Sequence, residues 1–210
     1  MYTLYYSQGA CSVATQVVLN ELKQTFTLLD ANKQDNFKTI NPIGAVPVLN
    51  DGENNLTEGA AILLYLLDKH PNTLLASQGP ERQKAIQDIM FANATMHPAY
   101  GRLFFISQHI QDETVKQQAL ESAAAEINRL WQVIENELAQ QNALGSQYLG
   151  GKSPSPADIM LTVYASWGVY FPVDIELGVN SKRMLEGVQN MPIYKSVLAA
   201  ESALSSDSHA

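Results

Sequence analysis

A chain of 210 residues, 46% hydrophobic and 16% charged, can bury a sizeable core in one large domain or two small ones and is too apolar to be disordered. Its formal net charge of −8, with no basic run to offset it, argues against a nucleic-acid partner, because a polyanion is repelled at long range. The longest apolar run, 59–67, is too short to span a bilayer, residues 1–6 do not read as a signal peptide, and the one cysteine excludes an internal disulfide, so a cytoplasmic setting is expected.

In chain order, residues 2–6 (Tyr-Thr-Leu-Tyr-Tyr) are aromatic and β-branched and predict a short strand, which Ser7-Gln8-Gly9 breaks. From Cys11 to Leu22, Val13, Val17, Val18 and Leu22 recur at helical spacing. Residues 26–29 predict a second strand, 46–49 a third beginning around Pro47, and 50–55 a hairpin turn into a short fourth strand ending at Leu56-Thr57. The stretch between, 32–40, is ambiguous and reads as a brief irregular helix. Thr57 is placed to cap a buried helix over 58–69, with Glu58 in its first turn. The N-terminal region therefore reads β-α-β-α-β-β-α with a mixed sheet.

Beyond 77–80 (Ser-Gln-Gly-Pro) no strand signal is convincing and amphipathic helices take over. One is predicted from Glu81 to about His109 with a bend at Pro98, and another over 113–141. Ser155-Pro156-Ala157-Asp158 has the form of a helix start, with a hydroxyl cap and Asp158 in place of the usual Glu. Shorter helices are predicted over 181–190 and 192–203. The expected division is a first domain over 1–76, a linker over 77–84, an all-helical domain over 85–204 and a disordered tail over 205–210.

Three points carry chemistry. Cys11 sits where the first strand gives way to a helix, and the amides and dipole of a helix start favour a thiolate by up to about 1.5 pKa units. A lone cysteine is otherwise a small buried hydrophobe, but its place after Gly9-Ala10 favours a reactive thiol. With no second cysteine, any exchange at Cys11 needs an external thiol. Pro47 needs an edge or a strand start, and a cis bond before it would turn the backbone of Val46 toward an extended peptide. Glu58-Gly59, a carboxylate beside free amides, suits the α-amino-acid end of a ligand.

Together these motifs resemble the glutathione transferases, specifically the bacterial beta class, over essentially the whole chain. The matching segments are 9–12 (Gly-Ala-Cys-Ser), 41–47 (Asn-Pro-Ile-Gly-Ala-Val-Pro), 56–62 (Leu-Thr-Glu-Gly-Ala-Ala-Ile) and 155–159 (Ser-Pro-Ala-Asp-Ile). The resemblance implies an α+β, thioredoxin-like N-terminal domain followed by an all-α domain, in a homodimer. It implies glutathione as co-substrate, held by Cys11, Lys33, Val46, Pro47, Glu58, Gly59 and His97. Cys11 would lie beside the glutathione sulfur, with Ser12 and Tyr6 as further thiol-activating candidates. An apolar electrophile would meet Tyr100, Leu103 and Phe104 of the first long helix.

The chain also departs from the family pattern. Many relatives carry Lys where Ile43 and Pro98 stand, and Ser where Gly59 stands. The expected activity is conjugation of glutathione to small electrophiles, with glutathione-dependent thiol transfer as a further activity. The alternative is a binding or regulatory protein of the same fold without turnover. No metal, nucleic acid or membrane partner is expected.

Overall fold

Alternation along β1 (Tyr2–Tyr6) sends Tyr2, Leu4 and Tyr6 to one face, all buried, and Thr3 and Tyr5 to the other. The computed structural model describes residues 1–206, and its elements continue with α1 (Ser12–Glu21), β2 (Phe26–Asp30), α2 (Phe37–Ile40), β3 (Val48–Asn50), β4 (Asn55–Leu56) and α3 (Gly59–Lys69). This is the β-α-β-α-β-β-α order expected from the sequence. The sheet order is β2-β1-β3-β4, with β1 parallel to β2 and antiparallel to β3, and β3 antiparallel to β4. The mixed sheet follows from the connections: β1 and β2 are joined by a helix, β3 and β4 by a hairpin.

Both faces of the sheet are covered. Tyr5 packs on Phe37 of α2, ring centroids 5.6 Å apart, beside a small cluster of Ala31, Phe37 and Val48. The helix α1 is buried over eight consecutive residues, Ser12 to Leu19, because it meets α3 on one flank and the last helix, α9 (Pro192–Ser206), on another. An element covered on several sides shows no clean amphipathic stripe.

The described chain divides into two compact units. One is Met1–Ser77 together with the chain from Gln189, and the other is Gln78–Val188. The break near 77 falls where the composition changes. The last helix, expected to belong to the helical domain, groups with the sheet instead, because it packs on α1. That helix also runs to Ser206 rather than stopping at 203; of the tail expected over 205–210, residues 207–210 lie outside the described residues.

The second unit is helical: α4 (Gly79–Phe91), α5 (His97–His109), α6 (Glu113–Ala143), α7 (Pro156–Ser166) and α8 (Val179–Gln189). Between α4 and α5, just before Pro98 where a bend is expected, lies a π-helical turn, Ala92–Met96. A wider turn there accommodates a proline that cannot donate to the helix and whose ring crowds the preceding turn. The cap before α7 forms as a full reciprocal box. Ser155 Oγ accepts the Asp158 N–H, and the Asp158 carboxylate accepts the Ser155 N–H at 2.8 Å. The same carboxylate, 0% exposed, also receives the N–H groups of Leu149 and Gly150. A Cβ on Gly150 would stand 2.8 Å from the Cβ of Ser155, so glycine lets the loop approach. Asp158→Ala removes every one of these acceptors, and a loss of about 3 kcal/mol in urea unfolding is expected; a loss under about 1 kcal/mol would show the box to be ornamental.

Candidate functional site

The site begins at the turn after β1. Ala10 N–H donates to Ser7 O at 3.1 Å and Gly9 has φ +67°, which makes 7–10 a type II turn with glycine where positive φ is needed. The chain then enters α1 with Cys11 as its N-cap residue. Cys11 Sγ–H donates to the carbonyl of Val46 at 3.0 Å, so the two turns expected to face one another do meet. The Val46–Pro47 bond is cis, and β3 starts only at Val48, which spares the ladder a residue with no N–H. The Glu58 carboxylate belongs to the same neighbourhood, since its charge acts on the Cys11 thiol.

The charge state of Cys11 runs opposite to the expectation from its helix. Burial pushes the thiol up to about 11, against the backbone amides of Cys11 and Ser12, which favour the anion, and with Glu58 adding to the rise. The helix start supplies the expected donors, but removing the sulfur from water costs the anion more than they return. At neutral pH Cys11 is a thiol and a hydrogen-bond donor.

The other thiol-activating candidates are buried. Ser12 is 0% exposed, and its hydroxyl donates to Ser7 O at 3.4 Å, bracing the turn. Tyr6 is 3% exposed, and burial, with Asp30 and Glu201 adding, pushes its hydroxyl above the ordinary tyrosine value. Lys33 closes a short 3-10 turn after β2, and its Nζ donates to Leu204 O near the C-terminal end of α9 at 3.3 Å. Those last carbonyls attract a cation.

Glu58 differs from its expected place in α3. The helix begins at Gly59, and Glu58, expected in its first turn, is instead the N-cap residue with φ +68° and ψ 111°, making no side-chain cap bond. A non-glycine residue in this region costs about 1–3 kcal/mol and persists where its surroundings demand it. The strain presents an exposed carboxylate at the start of α3.

In the second unit, His97 packs against Tyr164 and Trp167, with centroids 5.0 and 5.5 Å away. Tyr100 and Leu103, expected to line an electrophile pocket, are instead core residues at 0% exposure, and Tyr100 Oη accepts the Trp131 indole N–H at 2.9 Å. Sequence periodicity could not separate a pocket-facing from a core-facing position on α5. Phe104 keeps accessible surface and meets Trp167 and Phe171 edge to face.

Residues 2–68 match the N-terminal domain of glutathione S-transferases. The chain is 33% identical over 178 residues to glutathione S-transferase GST-4.5 of Xanthomonas campestris pv. campestris, covering 82% of this chain and 85% of that protein. It belongs to the glutathione S-transferase family. Two solved members share the fold along their length. The glutathione S-transferase from Xylella fastidiosa superposes with a TM-score of 0.85 at 29% identity, covering 96% of this chain and 99% of that one. A sphingomonad glutathione S-transferase complexed with glutathione superposes with a TM-score of 0.79 at 28% identity, covering 95% and 98%.

Two measurements check the site as built. A thiol with a pKa near 11 holds about 100-fold less thiolate at pH 8 than one at 9, so iodoacetamide should label Cys11 about 100-fold more slowly than a free cysteine, with the rate still rising at pH 10; a plateau below pH 9 would contradict the buried-thiol account. Glu58→Gly should be more stable than Glu58→Ala by about 1–2 kcal/mol, because alanine keeps the positive-φ penalty that glycine removes. Equal stabilities would mean that Glu58 carries no strain.

Proposed function

We propose that the first unit binds glutathione and that the bound sulfur, as thiolate, attacks small apolar electrophiles. The observation that carries the reading is the contact of Cys11 Sγ with Val46 O, which sets a thiol donor beside backbone that an extended peptide can pair with. Glu58 and the amides at the start of α3 suit the α-amino and α-carboxylate groups of the γ-glutamyl end. Lys33 and His97 are proposed as further glutathione contacts, Pro47 and Gly59 as the backbone that shapes the two turns, and Phe104 as an apolar contact for the electrophile. The working form would be a cytoplasmic homodimer.

In the proposed reaction glutathione loses its thiol proton to solvent, and a sulfur lone pair forms the new carbon–sulfur bond. The leaving group departs with the electrons of the bond that breaks. Cys11 suits this chemistry as a donor when its one S–H turns from Val46 O, which the tripeptide's backbone then pairs with, to the tripeptide's sulfur, because a hydrogen bond to a charged group contributes about 1.5–3 kcal/mol. That is enough to lower the bound thiol's pKa by about 1–2 units. The high Cys11 pKa speaks against Cys11 as the attacking nucleophile of a thiol-transfer cycle.

Retention on immobilised glutathione and turnover of an aromatic halide test the reading. Cys11→Ala should keep conjugation while the pH profile of kcat, measured at saturating glutathione, moves up by about 1–2 units, and Cys11→Ser, which keeps a donor, should move it less. Absence of both retention and turnover in the wild-type chain would sink the enzyme reading. Disulfide-reducing activity lost in Cys11→Ser while conjugation survives would add thiol transfer.

A further inference from the structure

The turn that presents Cys11 is held from the far end of the chain. Gly9 N–H donates to Glu201 Oε2 on α9 at 2.8 Å, across 192 residues of sequence. The other carboxylate oxygen accepts the side-chain amide of Gln16 on α1 at 2.5 Å. Glu201 and Gln16 are each 1% exposed. The two bonds sit on either side of Cys11, one on the turn before it and one on the helix after it. Ser7 is tied separately, its Oγ accepting the Asn32 side-chain amide at 3.0 Å.

Packing alone does not call for this carboxylate. Taking a carboxylate out of water costs several kcal/mol unless its lone pairs are satisfied, and an apolar side chain of similar volume in such a place is often neutral or stabilising. A carboxylate does what an apolar side chain cannot: it accepts from two donors in fixed directions. Here one is a backbone N–H of a left-handed glycine, which has no side chain of its own to fix the turn. Among the described residues, the titratable groups whose charges bear on Glu201 or lie close beside it are Asp30, Tyr6 and Tyr194, and none of these is a cation.

We propose that Glu201 is a positioning residue for Cys11: from the last helix it locks the 7–10 turn to α1 and so fixes the thiol against Val46. The proposal rests on the reading of Cys11 as the thiol donor of the site. It extends that site to a helix the motifs did not reach. Removing the carboxylate frees the turn, opens the half-buried thiol further to water and loosens its hold on Val46.

Because Cys11 is the one cysteine of the chain, alkylation reports on it alone, whether or not glutathione is the ligand. Iodoacetamide labelling over pH 7–10 is compared for the wild-type chain, Glu201→Ala, Glu201→Gln and the control Asp158→Ala, which is destabilised in the other unit. Glu201→Ala should be labelled about tenfold faster at pH 8, with its profile shifted toward that of a free thiol. Glu201→Gln keeps an acceptor for Gly9 N–H, and rotation of the Gln16 amide restores its partner, so it should stay within about twofold of wild type. Glu201→Ala labelled at the wild-type rate, or no faster than Asp158→Ala, overturns the proposal. If Glu201→Ala does not fold, the wild-type Gly9 amide proton decides by NMR. A shift with pH that is lost in Glu201→Gln supports the clamp, and an amide insensitive to pH in both chains overturns it. Failure of glutathione retention with these labelling results intact would count against the proposed function and leave the clamp standing.

Discussion

A half-buried thiol aimed at one carbonyl is the interaction on which the rest of this site depends. Cys11 Sγ–H donates to Val46 O, and that contact requires two turns from distant parts of the sequence to be held at a fixed separation. Each turn is fixed by its own element: the type II turn by β1 and α1, and the segment before β3 by the sheet. The thioredoxin-like arrangement brings β1 and β3 side by side as antiparallel neighbours, and so brings their adjoining turns together. The fold is in this sense the device that pairs a thiol with a peptide backbone.

Two forces compete at the sulfur, and their magnitudes decide its role. A helix start favours the anion by about 0.3–2 kcal/mol. Desolvation can shift a fully buried group by several pKa units. Here desolvation wins, which turns a residue that looks like a nucleophile into a donor. Strain at Glu58 and the burial of Glu201 are the same kind of feature, a local cost accepted where the surroundings hold a group in a set direction.

Much of this was legible in the sequence, for identifiable reasons. The strand alternation of residues 2–6, the break at Gly9 and the Ser155-to-Asp158 cap are local signals, and local signals survive folding. The meeting of the two turns was legible because the motifs of the family lie in order along the chain. Three features were not legible. The sign of the Cys11 shift depends on burial, which no spacing reveals. Tyr100 and Leu103 share a helix with Phe104, and which of them faces the core is set by packing against Trp131 and its neighbours. Glu201 sits in an unremarkable helix and acquires its role only because α9 returns to the first unit.

The central claim is that glutathione lies along the turns of Cys11 and Val46, with its sulfur beside a protonated thiol. A crystal structure of the chain soaked with glutathione tests it most directly. The account predicts the tripeptide's sulfur within hydrogen-bond reach of Cys11 Sγ, its cysteinyl backbone paired with Val46 and its γ-glutamyl end at Glu58. Density for the tripeptide elsewhere, or a sulfur turned away from Cys11 toward Tyr6, would contradict it.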